Sequence, residues 1–253
     1  QVFRNLYQYN HQYILRLSFS LDLEVSILSK ILRGYGLSKS ELRKLRVFLY
    51  KKKGMSLTDQ ETAEGALEVF LNLVRIQDSL IRKNKNQQGE IVCEKRENSS
   101  ISPILHTALQ KDFKIALDNY FFSPIEDNLD SVQQEIQLTT VFKDLIIEVG
   151  RFQDRYKDAS RMSVDLFYDL PGSYFGQKKA QRYELESFIY HKGRPVKNKK
   201  DLEYADFGHY IAYVKIQGLW YCCNDAQVTQ ISSDEALQVA QQASVYHLRK
   251  IPA

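Results

Sequence analysis

Gly208-His209-Tyr210 holds a histidine between a glycine and a tyrosine, at the mouth of what reads as a β-hairpin that runs through Trp220 to an Asn224-Asp225 pair. Imidazole is the side chain whose ordinary pKa lets it take up and return a proton near neutrality. To act as a base it needs an amide or carboxylate that fixes its tautomer, and a nucleophile to activate. Asn224 and Asp225 offer the first. For the second, the chain has 3 cysteines, Cys93 and the adjacent Cys222 and Cys223. Alternation along a strand turns one of that adjacent pair toward the core and the other outward, and a small buried hydrophobe is the ordinary role of such a cysteine. Cys93 is followed by Glu94, Lys95 and Arg96 with no second Cys-x-x-Cys pair, so four soft ligands for zinc are lacking and neither metal nor cofactor is expected.

The elements that must position these residues fall into two kinds. Leu23, Val25, Ile27, Leu28, Ile31 and Leu32 approximate one face of a helix that stops at Gly34 to Gly36. Ser38, with Glu41 three residues on, caps a second helix, and a third is expected from Asp59 to Arg82. Lys83 to Glu90 has the composition of a turn at a loop tip. Beyond it the pattern becomes short strands rich in β-branched and aromatic residues: EIVCEK, ISPILHTALQ, EIQLTTVF, DLIIEVGRF, SVDLFYDLP, YELESFIYHKG, HYIAYVKI and GLWYCCND, with FKIALDNYFF as a short helix among them. RPVKNKKDLEYAD reads as an exposed connection, and its basic start, Arg194 to Lys200, as a solvated loop or a partner contact. Lys51, Lys52 and Lys53 finish a helix, where cations suit the C-terminal dipole. Helices first and an antiparallel sheet after give an α+β class.

Composition sets the outer bounds. At 253 residues the chain suits one large domain or two small ones, and 16 Tyr and 13 Phe against 5 Pro and 11 Gly argue for packed sheets over disorder. The net charge of +4 comes from 35 basic residues mixed among 31 acidic ones, which speaks against nucleic acid as a partner. No apolar run reaches the ~20 residues that cross a bilayer. The N-terminal residues are too polar for a signal-peptide core, and the opening on Gln1 reads as an excised domain or processed product. Three cysteines make no disulfide framework, so a reducing intracellular compartment is expected.

The ordered set Tyr183, Leu185, His191, Gly193, then Gly208, His209, Tyr210, Ala212, Tyr213, then Trp220, Tyr221, Asn224, Asp225 and Val228 resembles the histidine box of the ubiquitin-specific proteases, papain-like cysteine peptidases that remove ubiquitin. The resemblance covers roughly residues 60 to 250, including Arg151-Phe152 at a strand end. It implies one domain over 1–253, with a helical thumb at 1–82 and an antiparallel palm with reduced, metal-free fingers at 83–253. It also implies a site in which His209 is the base, Asn224 its orienter and Asp225 a second polar partner. Gly208, Tyr210 and Trp220 would line the path of the ubiquitin tail.

The family's cysteine box opens the central thumb helix. Aligning Asn5-Leu6 with its Asn-Leu makes Asn5 the oxyanion donor and puts Asn10 in the nucleophile's place. A carboxamide cannot act as a thiolate. ETAEGALEVFLNLV resembles the family's tail-holding helix, with Gly65 where an aspartate is usual and Glu68 matched. Two functions follow from the resemblance. One is a catalytically inactive domain that binds ubiquitin, a ubiquitin-like protein or another protein within a larger complex. The other is an active deubiquitinase whose nucleophile is mis-registered or replaced.

Overall fold

The computed structural model describes residues 38–41, 43–45, 47, 78–99, 104–124, 133–225 and 227–252. The chain divides into two compact units, Gln1–Ile76 and Gln77–Ala253. In the first, the described residues between 39 and 47 are helical, and the expected capping box is present: Glu41 N donates to Ser38 Oγ at 3.2 Å while Ser38 N donates to Glu41 Oε2 at 2.8 Å. Two otherwise unpaired helix N-terminal donors are satisfied this way, worth about 1 kcal/mol.

The second unit holds two sheets. The smaller has four strands in the order β2-β1-β5-β4, built from β1 (Asp78–Lys85), β2 (Ile91–Ser99), β4 (Phe122–Pro124) and β5 (Gln133–Leu138). Asn86 closes the β1–β2 turn, its Oδ1 accepting from Gln88 N and Glu90 N, so the turn expected over Lys83 to Glu90 is present after Lys85, while Lys83, Asn84 and Lys85 are paired in β1. The expectation of a helix from Asp59 to Arg82 is corrected over its last five residues. β1 is paired on both sides, Leu80 lying opposite Glu97 and Leu138 and Arg82 opposite Lys95 and Ile136, and pairing at two edges outweighs local helical spacing.

The larger sheet has ten strands. Its main path runs β13-β12-β11-β10-β14-β6-β3, formed by β13 (Gln227–Ile231), β12 (Leu219–Asn224), β11 (Leu202–Ile216), β10 (Gln181–Pro195), β14 (Val245–Lys250), β6 (Asp144–Gly150) and β3 (Ile104–Ala108). β7 (Phe152–Gln153) pairs with β8 (Tyr156–Asp158), β8 with β11, and β9 (Phe167–Leu170) with β10. One pairing departs from the antiparallel expectation: β3 and β6 run parallel. β6 is accordingly buried almost throughout, Leu145, Ile146 and Ile147 forming a continuous apolar run rather than an alternating one.

Helix α1 (Phe113–Phe121) matches the expected short helix. Asp112 caps it, accepting from Lys114 N and Ile115 N, and Phe113, Ala116, Leu117 and Phe121 form the buried stripe. Helix α2 (Ser233–Ala240) is not marked by apolar periodicity, although Ser232 and Glu235 form a capping box; its buried residues are Ala236 and Ala240, small enough to let it lie close against β10 and β12. β13 and β14 also go beyond the strands expected from sequence. β14 pairs with both β10 and β6 and so sits in mid-sheet.

Most of RPVKNKKDLEYAD is strand rather than connection. β10 runs to Pro195 and β11 starts at Leu202, because β8 offers an edge: Leu202 pairs with Asp158, Glu203 with Lys157 and Tyr204 with Tyr156. The β11–β12 turn is Gln217-Gly218, both at positive φ (53° and 82°), as the right-handed twist of a two-residue hairpin demands.

Candidate active site and family membership

His209 lies on β11 directly opposite Lys192 of β10. Residues that pair across a ladder share a face. On this basis His209, Ile211 and Tyr213 of β11 stand with Cys222 and Asn224 of β12, while Ala212 and Cys223 stand on the reverse. The register therefore brings the Asn224 side chain to His209: Nε2 and Oδ1 are 2.6 Å apart. An amide oxygen only accepts, so Nε2 carries the hydrogen, and the neutral ring keeps a lone pair on Nδ1. Asp225 Oδ2 is 3.5 Å from the same Nε2, a second acceptor ready for the protonated ring. Asp225 adopts positive φ (51°) where the chain leaves β12. The imidazole is 43% exposed, so it is open to a ligand.

The register of β11 and β12 thus brings His209 and Asn224 together. The cysteines are elsewhere. Cys222 shares the His209 face but pairs with Tyr213, four residues along β11, which at ~3.3 Å per residue is about 13 Å away. Cys223 is on the opposite face, and burial pushes its thiol up, the reverse of what a reactive thiolate requires. Cys93 pairs with Asn84 in the four-stranded sheet. All three are free thiols.

Gly208 owes its identity to His191. A Cβ on Gly208 would fall inside van der Waals contact of His191 Nε2 and Cε1 and lie 2.7 Å from Lys192 O. His191 is fully buried, its ring 4.7 Å from that of Tyr210 and 5.5 Å from that of Phe152. Burial first, then the Lys157 charge, push its pKa down to about 4, so the ring is neutral at pH 7. Lys157, also fully buried, donates to His191 O at 2.5 Å and to Glu203 Oε2 at 3.1 Å, and Glu203 Oε2 accepts from Gly193 N at 3.0 Å. Desolvation holds the Lys157 pKa below its usual value, partly offset by Glu203. This bracket beneath the His209 strand was not legible in the sequence, where Lys157 is one lysine among many.

Trp220, expected to line the substrate path, is in the core. It is 1% exposed and packs on Phe188, which stacks on Tyr213 at 4.7 Å, and a side chain so enclosed offers no surface to a ligand. Its role is corrected to packing. Tyr210 is half-buried against His191. Asn5, Asn10, Gly65 and Glu68 lie outside the described residues.

A second arrangement has the right residue types and the wrong setting. His247 Nε2 is 2.8 Å from Asp144 Oδ1 and Nδ1 is 3.4 Å from Ser187 Oγ, but the three residues are 2%, 6% and 4% exposed, respectively. Burial raises the Asp144 pKa, and the His247 hydrogen bond and the His247 and Arg249 charges more than reverse this, leaving it below the ordinary carboxylate range. It is a buried polar tie between β10, β14 and β6. A cavity of about 580 Å³ beside β7 and β8, lined by Leu109, Arg151, Phe152, Asp154, Tyr156 and Leu202 among others, includes none of the expected site residues.

Residues 40–248 match the family described as ubiquitin carboxyl-terminal hydrolase. The chain belongs to this family. Ubiquitin carboxyl-terminal hydrolase 8 of Saccharomyces cerevisiae is 25% identical over 199 residues, 65% of this chain, and the match spans 40% of that relative's length. Among solved structures, the SAGA Ubp8/Sgf11/Sus1/Sgf73 DUB module bound to ubiquitin aldehyde superposes with a TM-score of 0.72 at 15% identity, covering 100% of this chain and 66% of the other. A point variant of the same module bound to monoubiquitin gives 0.68 at 16% identity, covering 91% of this chain and 58% of the other. The fold is the α+β, papain-like fold of ubiquitin-specific proteases. Within this fold, His209 and Asn224 stand one on each of two adjacent strands, in contact with each other.

Proposed function

We propose that this domain binds the C-terminal tail of ubiquitin or a ubiquitin-like protein without hydrolysing it, as a pseudo-deubiquitinase. One observation carries the reading: His209 is held by Asn224 at 2.6 Å, while each of the chain's 3 cysteines is placed by strand register away from it. In the sequence register, Asn10 takes the nucleophile's position and Asn5 the oxyanion donor's, with Gly65, Glu68, Gly208 and Tyr210 along the tail. Ubiquitin as the ligand, and a larger complex as the setting, are supported by the related modules bound to monoubiquitin and ubiquitin aldehyde and built with Sgf11, Sus1 and Sgf73. Free thiols support a reducing intracellular compartment, and no described helix is long and apolar enough to cross a membrane.

The second reading, an active cysteine deubiquitinase, is favoured by the intact His209–Asn224 geometry. A ubiquitin probe with a C-terminal electrophile separates the two. The expected result is no adduct with the wild-type chain, and an adduct with Asn10→Cys that is lost when His209→Ala is added. An adduct on the wild-type chain that disappears in His209→Ala overturns the inactive reading. Calorimetric titration with monoubiquitin tests binding, and absence of heat at high micromolar concentration removes ubiquitin as the ligand.

A further inference from the structure

The hairpin between β10 and β11 extends past the site as a separate arm. Gly193 pairs with Gly208, but the next pair is Arg194 with Tyr204, so residues 205–207 bulge out of β11 just before His209. Beyond the bulge the arm is held firmly. β11 pairs with β8 from Leu202 to Tyr204, Ala205 N donates to Arg155 O at 2.8 Å, and Glu203 is tied to buried Lys157. Val196 N donates to Leu202 O at 3.0 Å across the tip, and Asn198 turns the chain at φ 63°. Gly193 is required where the arm begins, since a Cβ there would lie 2.8 Å from both Glu203 Cβ and Tyr204 O.

The arm's charge is out of proportion to the rest of the molecule. Lys192, Arg194, Lys197, Lys199 and Lys200 are all exposed, and with Asp201 they give residues 192–201 a net charge of +4, equal to that of the whole 253-residue chain. Elsewhere several lysines are matched to acids, Lys85 with Glu135, Lys114 with Asp118 and Lys215 with Glu184. On the arm, Lys199 rests over the Tyr156 ring at 5.9 Å, and no carboxylate among the described residues closes an ion pair with any of the five cations. Clustered like charges destabilise a fold, and here they are fixed on a braced hairpin, where a counter-charge can be met without further ordering.

We infer that the arm from Lys192 to Lys200 is a docking surface for an acidic segment of a partner protein, beside the His209 site and distinct from it. Nucleic acid fits less well. Duplex binding draws on ~6–10 phosphate contacts, more than five cations at one hairpin tip supply, whereas a short run of Asp and Glu matches the tip in length and charge. This inference does not depend on ubiquitin being the ligand of the neighbouring site.

The test uses the chain as it is, with a fluorescent deca-glutamate peptide followed by anisotropy at low and at physiological ionic strength, and a short DNA duplex in parallel. Peptide binding is expected to weaken with salt and to fall by about tenfold or more when Lys197, Lys199 and Lys200 are changed to Glu. The Lys197→Gln, Lys199→Gln, Lys200→Gln variant, which introduces no new charge, is expected to fall in the same direction by less. Lys178→Glu with Lys179→Glu, exposed lysines elsewhere, is expected to bind as the parent does. Equal loss in that control, no peptide binding at low ionic strength, or tighter binding of duplex than peptide would each overturn the inference.

Discussion

Gly208→Ala isolates what places His209. The backbone at Gly208 is not in the left-handed region, so alanine meets no conformational penalty there and its effect is steric. The new Cβ overlaps two atoms of the buried His191 ring and stands 2.7 Å from Lys192 O. The ring has little room to retreat, since it is fully buried between Phe152 and Tyr210, and Lys192 O belongs to the paired strand. Overpacking of this kind costs about 1–3 kcal/mol. For a chain of this size each kcal/mol moves Tm by about 2–4 °C, so a fall of roughly 2–12 °C is expected. His191→Ala removes the two ring overlaps and leaves the carbonyl one, so the double variant should lose less than the sum of the singles, with a coupling of about 0.5–3 kcal/mol. Thermal and urea unfolding give the energies, and the ring nitrogen shifts of His209 report whether its hydrogen bond to Asn224 survives. A Gly208→Ala chain within about 0.5 kcal/mol of the parent, or strictly additive singles, would refute the reasoning.

Two further outcomes follow from the same packing. His191 has a folded pKa of about 4 against an ordinary 6.5, so the unfolded chain binds more protons between those values; stability is full above about 6.5 and is lost as pH falls toward 4, by up to about 3 kcal/mol. Unfolding at several pH values should show a shallower acid loss for His191→Phe than for the parent, and identical slopes would remove His191 as a contributor. Arg151, 2% exposed, donates to the carbonyls of Ala243, Asp158, Ser160 and Gln241. Arg151→Met removes one donor from each carbonyl, leaving Gln241 O the bond from Met162 N and Ala243 O the bond from Tyr246 Oη; it should destabilise by about 2 kcal/mol or more in urea unfolding, whereas a loss under about 1 kcal/mol would mean the loop after β8 relaxes to satisfy the others.

Sequence patterns were most informative where a single strand or turn settles the matter. The alternation of HYIAYVKI and GLWYCCND, joined by Gln217-Gly218, fixes a two-residue hairpin, and a fixed register then obliges Asn224 to share the face of His209. The capping signal of Ser38 and Glu41 acts within one turn of its own helix, so local reading suffices. Local reading failed where a distant partner decides. Residues 78–82 carry helical spacing but pair with β2 and β5; VYHLRK becomes a mid-sheet strand because β10 and β6 flank it; and β3 lies parallel to β6, with α1, β4 and β5 between them in the chain.

The family pattern, the His209–Asn224–Asp225 trio and the shortage of thiols could be read directly from the chain, because they depend on residue identity and on spacing within one hairpin. Folding was needed to place Cys222 and Cys223 out of reach, to enclose Trp220, and to make His191 rather than local conformation the cause of a glycine at 208. The same holds for the lysine-rich stretch, which is a braced arm, and for Lys157, which is buried beneath it. The physical reason is common to all of these: burial, face and ion pairing are properties of what lies across the ladder, and no residue's own neighbours along the chain specify that.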